Sequence, residues 1–287
     1  MQSPITTFDQ LLTAARSGTC RVACIYPHDA GTLEALARFE AAGLGSVVHI
    51  DGADPAEAAA RAVALVREGR ADILMKGLVG TDVLLRAVLD KACGLLPAGN
   101  VLTHLALCET PADRRLVVFT DVAVIPFPTH EQREAQIASA ATLCRRLGIA
   151  RPRVGLVHCS EKTSDKFPVT RSYERLRCCT DELIVDGPLD LLCCLSEEAL
   201  RVKGLESPTG GKSDIVVFPD IEAGNTFYKS LHLLRPDLHS AAILAGTSAP
   251  VVLPSRGDTA ETKLLSLALA KMSLPASRMT EAHAAGA

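Results

Sequence analysis

The stretch Ser213–Leu231 combines an apolar segment with polar residues of the kinds that bind ligands. Its first part, residues 214–218, is a short apolar run with β-branched side chains, which predicts a buried strand. Pro219 ends that run, and a helix is expected to begin at Asp220 or Glu222. A strand followed at once by a helix is typical of an open α/β sheet, in which ligands bind at the carboxyl ends of the strands.

Gly224, Asn225 and Lys229 are the residues of this helix that could bind a ligand. A helix N-terminus presents unpaired N–H groups, and a glycine there lets a ligand approach the backbone. Asn225 offers a donor and an acceptor, and Lys229 lies one turn further along the same face. The alternative is an ordinary turn followed by an exposed lysine, because Gly-Asn pairs are common in turns.

Two other predicted strand ends carry residues suited to an anion. Ser255-Arg256 follows an apolar segment, and an arginine there can hold a phosphate through two parallel N–H···O bonds. The alternative is a surface arginine paired with Asp258. The turn from Lys76 to Thr81 contains two glycines and can form a nest of N–H groups, with Thr81 as the helix N-cap and Lys76 adding charge. Its spacing is not that of a P-loop, so hydrolysis of a nucleoside triphosphate is not expected.

The composition narrows the class of protein. The 287 residues are 48% apolar and carry a formal charge of −3, with three Tyr, seven Phe and no Trp. Nucleic acid is therefore not an expected partner, since neither a broad basic surface nor stacking side chains are indicated. No apolar run approaches the roughly 18 residues of a membrane span, and no signal peptide is recognised. We expect a soluble, cytoplasmic protein without membrane contact.

The ten cysteines do not form a recognisable framework. Two adjacent pairs, Cys178-Cys179 and Cys193-Cys194, stand among scattered single residues, and no C-x-x-C spacing occurs. We expect reduced thiols that serve as small apolar side chains. The eight histidines show no H-E-x-x-H spacing, so no metal site is predicted.

Strands and helices alternate along most of the chain, which indicates an α/β fold with a mainly parallel sheet covered by helices on both faces. Within this pattern Asp186-Gly187-Pro188 is predicted to be a turn and Leu189–Val202 a single helix. The tail from Pro275 to Ala287 is small and polar and is expected to fray. Strands are predicted near residues 21–26, 46–50, 71–75, 101–108, 116–120, 153–158, 182–185, 214–218, 240–245 and 250–253.

Together these pieces resemble the phosphate acetyl/butyryltransferase family, and most closely its phosphate butyryltransferase branch. The match runs in order from about Lys76 to Ser266. The first 70 residues agree with the family only in the alternation of strands and helices, not in motifs. Where the family usually has Asp-Asn-Ala or Asp-Ala-Ala, this chain has Leu191–Leu195, which bears on the choice of acyl chain. The resemblance is carried by Lys76-Gly77, Thr81, Thr103-His104, Phe119-Thr-Asp121, Pro128, Glu161, Pro168, Thr170, Asp186-Gly-Pro188, Lys203-Gly204, Asp214, Pro219, Glu222-Ala-Gly-Asn225, Tyr228-Lys229, Gly246, Pro250-Val251, Ser255-Arg256 and Glu261-Thr-Lys263.

The resemblance implies a fold and a reaction. The fold is similar to that of the isocitrate and isopropylmalate dehydrogenases, with two α/β domains, mainly parallel sheets and an interdomain cleft. By that analogy residues 1–128 and 245–287 build the first domain, residues 129–244 build the second, and the protein is a homodimer. The implied reaction converts acyl-CoA and phosphate to acyl phosphate and CoA by direct attack in a ternary complex. It needs no metal or other cofactor and forms no acyl-enzyme.

The resemblance also assigns roles to the candidate residues. Ser255 and Arg256 are the main candidates for catalysis. Asp258 and Glu261 are alternatives for the base that takes the thiol proton, because an acidic residue after Ser-Arg serves in that way in some relatives. Substrate binding is assigned to Lys76, Gly77, Thr81, Thr103, Asp121, Glu222, Gly224, Asn225 and Lys229.

Three other functions stay open as alternatives. A decarboxylating dehydrogenase on the same fold would need a carboxylate cluster for Mg²⁺ and a dinucleotide site, but no G-x-G-x-x-G occurs. A phosphate acyltransferase linked to acyl carrier protein would be favoured by a basic docking patch. A catalytically inactive, CoA-binding relative is suggested by the altered run Leu191–Leu195. The sequence does not choose among acetyl, propionyl and butyryl groups.

Overall fold

The structure, a computed structural model, describes residues 3–275. It divides into two compact units. The terminal unit contains Phe8–Leu102 and residues 240–275, and the central unit contains Thr103–His239 and residues 3–7. The predicted fraying of the tail concerns residues that, apart from Pro275, lie outside the described part of the chain.

The first segment of the terminal unit alternates helices and strands as the sequence predicts. Asp54 caps α3 with its side chain and Pro55 is the first helical residue, as expected of these two residue types. Thr81 is not the N-cap of α4, because Gly80 has the extended backbone of a cap and Thr81 already lies in the helix. The elements are α1 (Phe8–Ala14), β1 (Arg21–Ile25), α2 (Ala30–Ala41), β2 (Ser46–Ile50), α3 (Pro55–Arg67), β3 (Ile73–Lys76) and α4 (Thr81–Val88).

The central unit and the return to the terminal unit contain the remaining elements. In the central unit they are β4 (Thr103–Glu109), β5 (Leu116–Thr120), α5 (His130–Arg146), β6 (Arg153–Val157), α6 (Pro168–Leu176), β7 (Cys178–Cys179), β8 (Ile184–Leu189), α7 (Leu191–Leu195), α8 (Glu197–Lys203), β9 (Ile215–Val217) and α9 (Ile221–Leu234). The terminal unit is completed by β10 (Ser240–Ala245), β11 (Val251–Val252) and α10 (Ala260–Ser273).

Strand pairing is mostly parallel in both units, which confirms the α/β class and the mainly parallel sheets. In the terminal unit the order is β2-β1-β3-β11-β10, and only β10–β11 is antiparallel. In the central unit the order is β4-β5-β9-β6-β8-β7, with antiparallel pairs at the two ends. Several strands, including β3, β4, β5 and β9, are buried along their whole length, as strands covered on both faces are.

The division between the units differs in position from the predicted domain boundary. It falls at Thr103, ahead of β4 and β5, whereas the sequence places the crossing near Thr129. The pairing explains the grouping, because β5 pairs in parallel with β9 and antiparallel with β4, which ties both strands to the central unit.

Two local predictions in the central unit are wrong. Asp186-Gly187-Pro188 is not a turn but part of β8, because this strand pairs in parallel with β6 on both sides of a register irregularity, at Asp186 and again at Leu189, and the sheet outweighs the local turn preference. Residues 189–202 do not form one helix. Ser196 adopts an extended backbone that ends α7, and its side chain accepts a hydrogen bond from the Ala199 N–H to start α8.

The cysteines are free and mostly buried. Cys93, Cys159 and Cys179 are exposed, and six of the other seven are buried. Among residues 3–275, no helix is both long enough and apolar enough to cross a membrane.

Candidate active site

A small pocket lies where three neighbouring parallel strands of the terminal unit end. Lys76 is the last residue of β3, Asp29 follows β1, and residues 254–256 follow β11. Because β1 and β11 both pair in parallel with β3, their carboxyl ends meet at one edge of the sheet. The cavity has a volume of about 80 Å³, and its lining includes Lys76, Gly77, Ser255, Arg256, Asp29, Thr32 and Lys263.

Lys76 is the most deeply buried of the predicted cationic residues. Its side chain is 4% exposed, and within residues 3–275 its Nζ donates only to the carbonyl oxygens of Gly77 (3.4 Å) and Pro254 (3.3 Å). Burial lowers the pKa of Lys76, and the nearby positive charges of Arg256 and Lys263 lower it further. The pocket therefore contains a cation without a carboxylate partner among the described residues.

Gly77 and its neighbour do not form the predicted nest of free N–H groups. The N–H of Gly77 donates to Ile25 O and that of Leu78 donates to Tyr26 O, both at 2.8 Å. A Cβ on Gly77 would lie 2.3 Å from the Tyr26 oxygen, so the glycine is required by close packing against the end of β1. Thr81 is not among the residues that line the pocket.

Lys263, Asp29 and Thr32 form a polar network at the pocket that the sequence analysis missed as site residues. Lys263 Nζ lies 2.8 Å from Asp29 Oδ1 and 3.1 Å from Thr32 Oγ1. Burial alone would raise the pKa of Asp29, but hydrogen bonds from Lys263 and from Thr32 outweigh it and lower the pKa to about 2. The sequence offered one signal, which is the charge of Lys263 within a largely apolar helix. In the structure this helix, α10, is buried at every position from 263 to 272, where a lysine is unusual.

The Ser255–Asp258 turn places an arginine at the mouth of the pocket. The Asp258 carboxylate accepts the Ser255 N–H at 2.8 Å, and the Asp258 N–H donates to Ser255 O at 3.1 Å. The alternative of an Arg256–Asp258 ion pair is not observed, and Arg256 is exposed. Glu261 is engaged differently, because its carboxylate forms an ion pair with Arg38.

In the central unit, the side chains of Asp121 and Thr103 are hydrogen-bonded to each other, and Asp121 also accepts hydrogen bonds from the backbone. Asp121 is 2% exposed, and its Oδ2 accepts from Thr103 Oγ1 and the His104 N–H, each at 2.9 Å. Its Oδ1 accepts from the N–H groups of Ala123 (2.8 Å) and Val124 (2.7 Å). Four donors therefore saturate one buried carboxylate, as a structural anion requires.

The start of α9 is attached to the same segment. A Cβ on Gly224 would lie 2.2 Å from Asp121 O, so close packing against this backbone already requires a glycine here. Asn225 Nδ2 donates to Val122 O at 2.8 Å, which uses one of its donors within the unit. Of the two predicted helix starts, Asp220 is the one that caps α9, while Glu222 and Lys229 are exposed. The Lys229 Nζ lies 5.7 Å from the centroid of the Tyr228 ring.

One group of side chains in the central unit has the composition of a metal site. Glu161, Asp190 and Cys193 bring their oxygen and sulfur atoms within 4.8 Å of one another. Lys203 Nζ lies 2.6 Å from Glu161 and forms a second ion pair with Asp190. The two carboxylates raise the pKa of Lys203, so the ammonium is the cation that balances their charge.

A family profile and two curated sequence relatives of this chain are named as phosphate acyltransferases. The profile of the family described as phosphate acetyl/butaryl transferase matches residues 51–271. Phosphate butyryltransferase of Clostridium acetobutylicum is 41% identical over 221 residues, which cover 75% of this chain and 73% of that protein. Phosphate acetyltransferase of Thermotoga maritima is 37% identical over 220 residues, or 75% and 74% of the two chains.

A solved structure agrees with these sequence relatives. The crystal structure of a branched-chain phosphotransacylase from Enterococcus faecalis V583 superimposes with a TM-score of 0.79 and 29% identity. The alignment covers 88% of this chain and 98% of that chain. Lys76, Asp121, Ser255 and Lys263 all lie within the span matched by the family profile, whereas Asp29 precedes it. The chain belongs to the phosphate acetyl/butaryl transferase family and is an acyltransferase.

Proposed function

We propose that this protein exchanges a short acyl group between CoA and inorganic phosphate by direct transfer in a ternary complex. A phosphate oxygen attacks the thioester carbonyl carbon, the C–O bond forms and the C–S bond breaks. The sulfur leaves with the bonding electron pair and takes up a proton as CoA thiol. The observation that carries the proposal is the pocket in which Lys76, Arg256 and Lys263 surround a space at the carboxyl ends of three parallel strands.

Ser255 and Arg256 are the residues we assign to the chemical step. Arg256 has no hydrogen bond or ion pair with any described residue, so its guanidinium is available to a phosphate oxygen or to the oxyanion of the transition state. The backbone of Ser255 is fixed by Asp258, and its hydroxyl is exposed and can act as a donor. Donors at such a position stabilise charge that develops only in the transition state.

The proton on the thiol requires an acceptor when the reaction runs from acyl phosphate to acyl-CoA. We assign this role to Asp258 rather than to Glu261, because the Glu261 carboxylate would have to give up its ion pair with Arg38 first. Asp258 is half-buried and adjoins the pocket residues in the chain, and its carboxylate has one short bond to the Ser255 N–H.

The remaining residues divide into two groups within this proposal. Lys76 is assigned to substrate binding, and the exposed Glu222 and Lys229 stay candidates for it. Thr103, Asp121, Gly224 and Asn225 are assigned to positioning, because their polar atoms or their space are used inside the central unit.

Several finer assignments belong to the same proposal. They are the relation to the isocitrate and isopropylmalate dehydrogenase fold, domain boundaries near residues 128 and 244, a homodimer, a cytoplasmic location, and the lack of any cofactor. The dimer is open to measurement by light scattering coupled to size-exclusion chromatography, which would give about twice the mass of 30.3 kDa.

The experiment that tests the function measures release of free CoA thiol from acetyl-, propionyl- and butyryl-CoA, with and without phosphate. We expect a rate that vanishes without phosphate, and the ranking of kcat/KM identifies the acyl group. A folded protein that releases no thiol from any of the three contradicts the proposal. Activity with an acyl carrier protein substrate would then favour the carrier-linked alternative, and CoA binding without turnover would favour the inactive one.

A further inference from the structure

A groove on the helices of the terminal unit is separate from the pocket at the strand ends. Helix α10 packs against both α1 and α2, and residues of these three helices line the groove. Its volume is about 360 Å³, at the lower end of the roughly 300–1,000 Å³ of pockets that hold small molecules. It shares no lining residue with the pocket of about 80 Å³ that we propose for acyl transfer.

The floor of the groove is apolar. Leu44 and Leu264 are buried, with 0% and 4% exposed, and the half-buried Leu12 of α1 also lines it. Ala41 and Ala42 at the end of α2 have small side chains, which leave space above these leucines. The groove therefore offers contact to a short alkyl chain, whose burial is favourable.

Two arginines also line the groove. Arg16 is exposed, and its side chain makes no hydrogen bond or ion pair with any residue from 3 to 275. Arg38 forms an ion pair with Glu261 and lies 3.7 Å from an oxygen of Glu34. The guanidinium of Arg16 is therefore available to hold a carboxylate through two parallel N–H···O bonds.

A third cation lies next to the floor. Lys271 is fully buried, and its Nζ donates to Leu44 O at 2.6 Å and to Gly18 O at 2.7 Å. Within residues 3–275 it has no carboxylate partner. Three cations around the groove thus face only the two glutamates that pair with Arg38. This balance favours an anion over a cation as ligand.

We infer that this groove binds a short- or medium-chain carboxylate, with the carboxylate on Arg16 and the alkyl chain on the leucines of the floor. A small hydrophilic anion would leave the floor unused, and an uncharged alkyl compound would leave Arg16 unused. The site lies outside the pocket proposed for acyl transfer, so the inference does not depend on the proposed function.

The test measures binding of sodium octanoate to the full-length protein by isothermal titration calorimetry, with sodium chloride added to keep the ionic strength constant. Octanoate should bind, whereas acetate and 1-octanol should each bind at least about tenfold more weakly, because each lacks one of the two contacts. From butanoate through hexanoate to octanoate, the affinity should rise by up to about fourfold for each added methylene. An absence of octanoate binding, or equal affinity for acetate or for 1-octanol, would contradict the inference.

Arg16→Met removes the charge but keeps a long side chain, and it should weaken octanoate binding by about tenfold or more. Arg67→Met is the matched control, because Arg67 is also exposed and lines a different groove of the terminal unit, of about 310 Å³. This control should bind octanoate as the unaltered protein does. Unchanged affinity in folded Arg16→Met protein would overturn the assignment.

Two further variants locate the bound octanoate. Arg256→Ala should keep the octanoate affinity, and a loss in this variant would place octanoate at the strand ends and contradict the inference. Leu12→Ser should weaken octanoate binding by about fivefold, because part of the apolar contact is lost, and an unchanged affinity would also contradict it. If Leu12→Ser does not fold, the chain-length series tests the same contact. A protein that binds octanoate in this way but releases no thiol keeps the groove site and loses the proposed function.

Discussion

Asp121 and Lys76 are both buried ionisable residues at the ends of fully buried strands, yet their surroundings differ. Asp121 receives four hydrogen bonds of 2.7–2.9 Å from its own unit. Lys76 makes two contacts of 3.3–3.4 Å and has no carboxylate partner in the described chain. A saturated group has no capacity left for a ligand, whereas an under-bonded one is incomplete without it. The comparison indicates that Asp121 organises the fold, whereas Lys76 keeps capacity for the substrate that we propose it binds.

Among the variants that test this contrast, Asp121→Asn is expected to have the largest effect on stability. Each carboxylate oxygen of Asp121 accepts from two donors, so the NH₂ group of the new amide would face two N–H or O–H groups that also donate. The free energy of unfolding, measured by urea denaturation, should therefore fall by about 3 kcal/mol or more. Asp181→Asn, at an exposed position of the same unit, should change it by less than about 0.5 kcal/mol. Unaltered stability combined with a raised KM would instead make Asp121 a substrate contact.

Arg256→Ala should show the opposite pattern. We expect kcat to fall by at least about 10²-fold, because a donor to transition-state charge is lost. The urea midpoint should stay near that of the unaltered protein, since Arg256 is exposed and holds no ion pair in the described residues. Arg70→Ala, which removes an exposed arginine of the terminal unit, is the control for charge alone. Near-normal kinetics in folded Arg256→Ala protein would remove this residue from the mechanism.

Gly224→Ala and Gly257→Ala each add one methyl group, the first beside Asp121 in the central unit and the second in the turn at the pocket of the terminal unit. Their effects on stability can therefore be compared directly. A Cβ at residue 224 would lie 2.2 Å from Asp121 O, so the variant should lose about 1–3 kcal/mol of stability. If the glycine served only to admit a ligand, the same change in a helix would stabilise the protein by up to about 1 kcal/mol and affect only KM. Nothing lies within 4 Å of a Cβ at residue 257, so Gly257→Ala should leave stability nearly unchanged.

The smallest effect concerns acid stability. The pKa of Asp29 is lowered to about 2 in the folded protein, below its ordinary value of 3.8. Its contribution is therefore fully present above pH 3.8 and is lost as the pH falls through 2. The difference in unfolding free energy between the unaltered protein and Asp29→Asn should be constant near neutral pH and shrink below about pH 4. A difference that stays constant to pH 2.5 would contradict the Lys263–Asp29 interaction.

The sequence predicted the fold well where local signals and the sheet agree. The bounds of β2, β5 and β10 match those predicted, and of the two predicted helix starts, Asp220 and Glu222, it is Asp220 that caps α9. It failed where tertiary pairing opposes the local preference, as in the Asp186-Gly187-Pro188 segment, which looks like a turn but lies within β8.

The candidate site was predicted in part, for a similar reason. Lys76, Gly77, Ser255 and Arg256 were recognised because each follows a predicted strand, and the structure brings all four to one pocket. Lys263 and Asp29 are 234 positions apart, and no local pattern indicates that they pair. Gly224 was assigned to a ligand because a glycine at a helix N-terminus lets one approach the backbone. The sequence does not reveal that the Asp121 carbonyl lies there, because that is a long-range contact.

The terminal unit is built from two segments of chain separated by the whole central unit, and this has a consequence during synthesis on the ribosome. Residues 103–239 emerge as one continuous stretch and can fold while translation proceeds, since domains generally fold as units in the order they are made. Until β11 is made, β3 lacks one of its two neighbouring strands, and Lys76 lacks Arg256 and α10 beside it. A nascent chain halted anywhere before residue 254 therefore lacks part of the lining of this pocket, so the site that we propose for phosphate is completed late in translation.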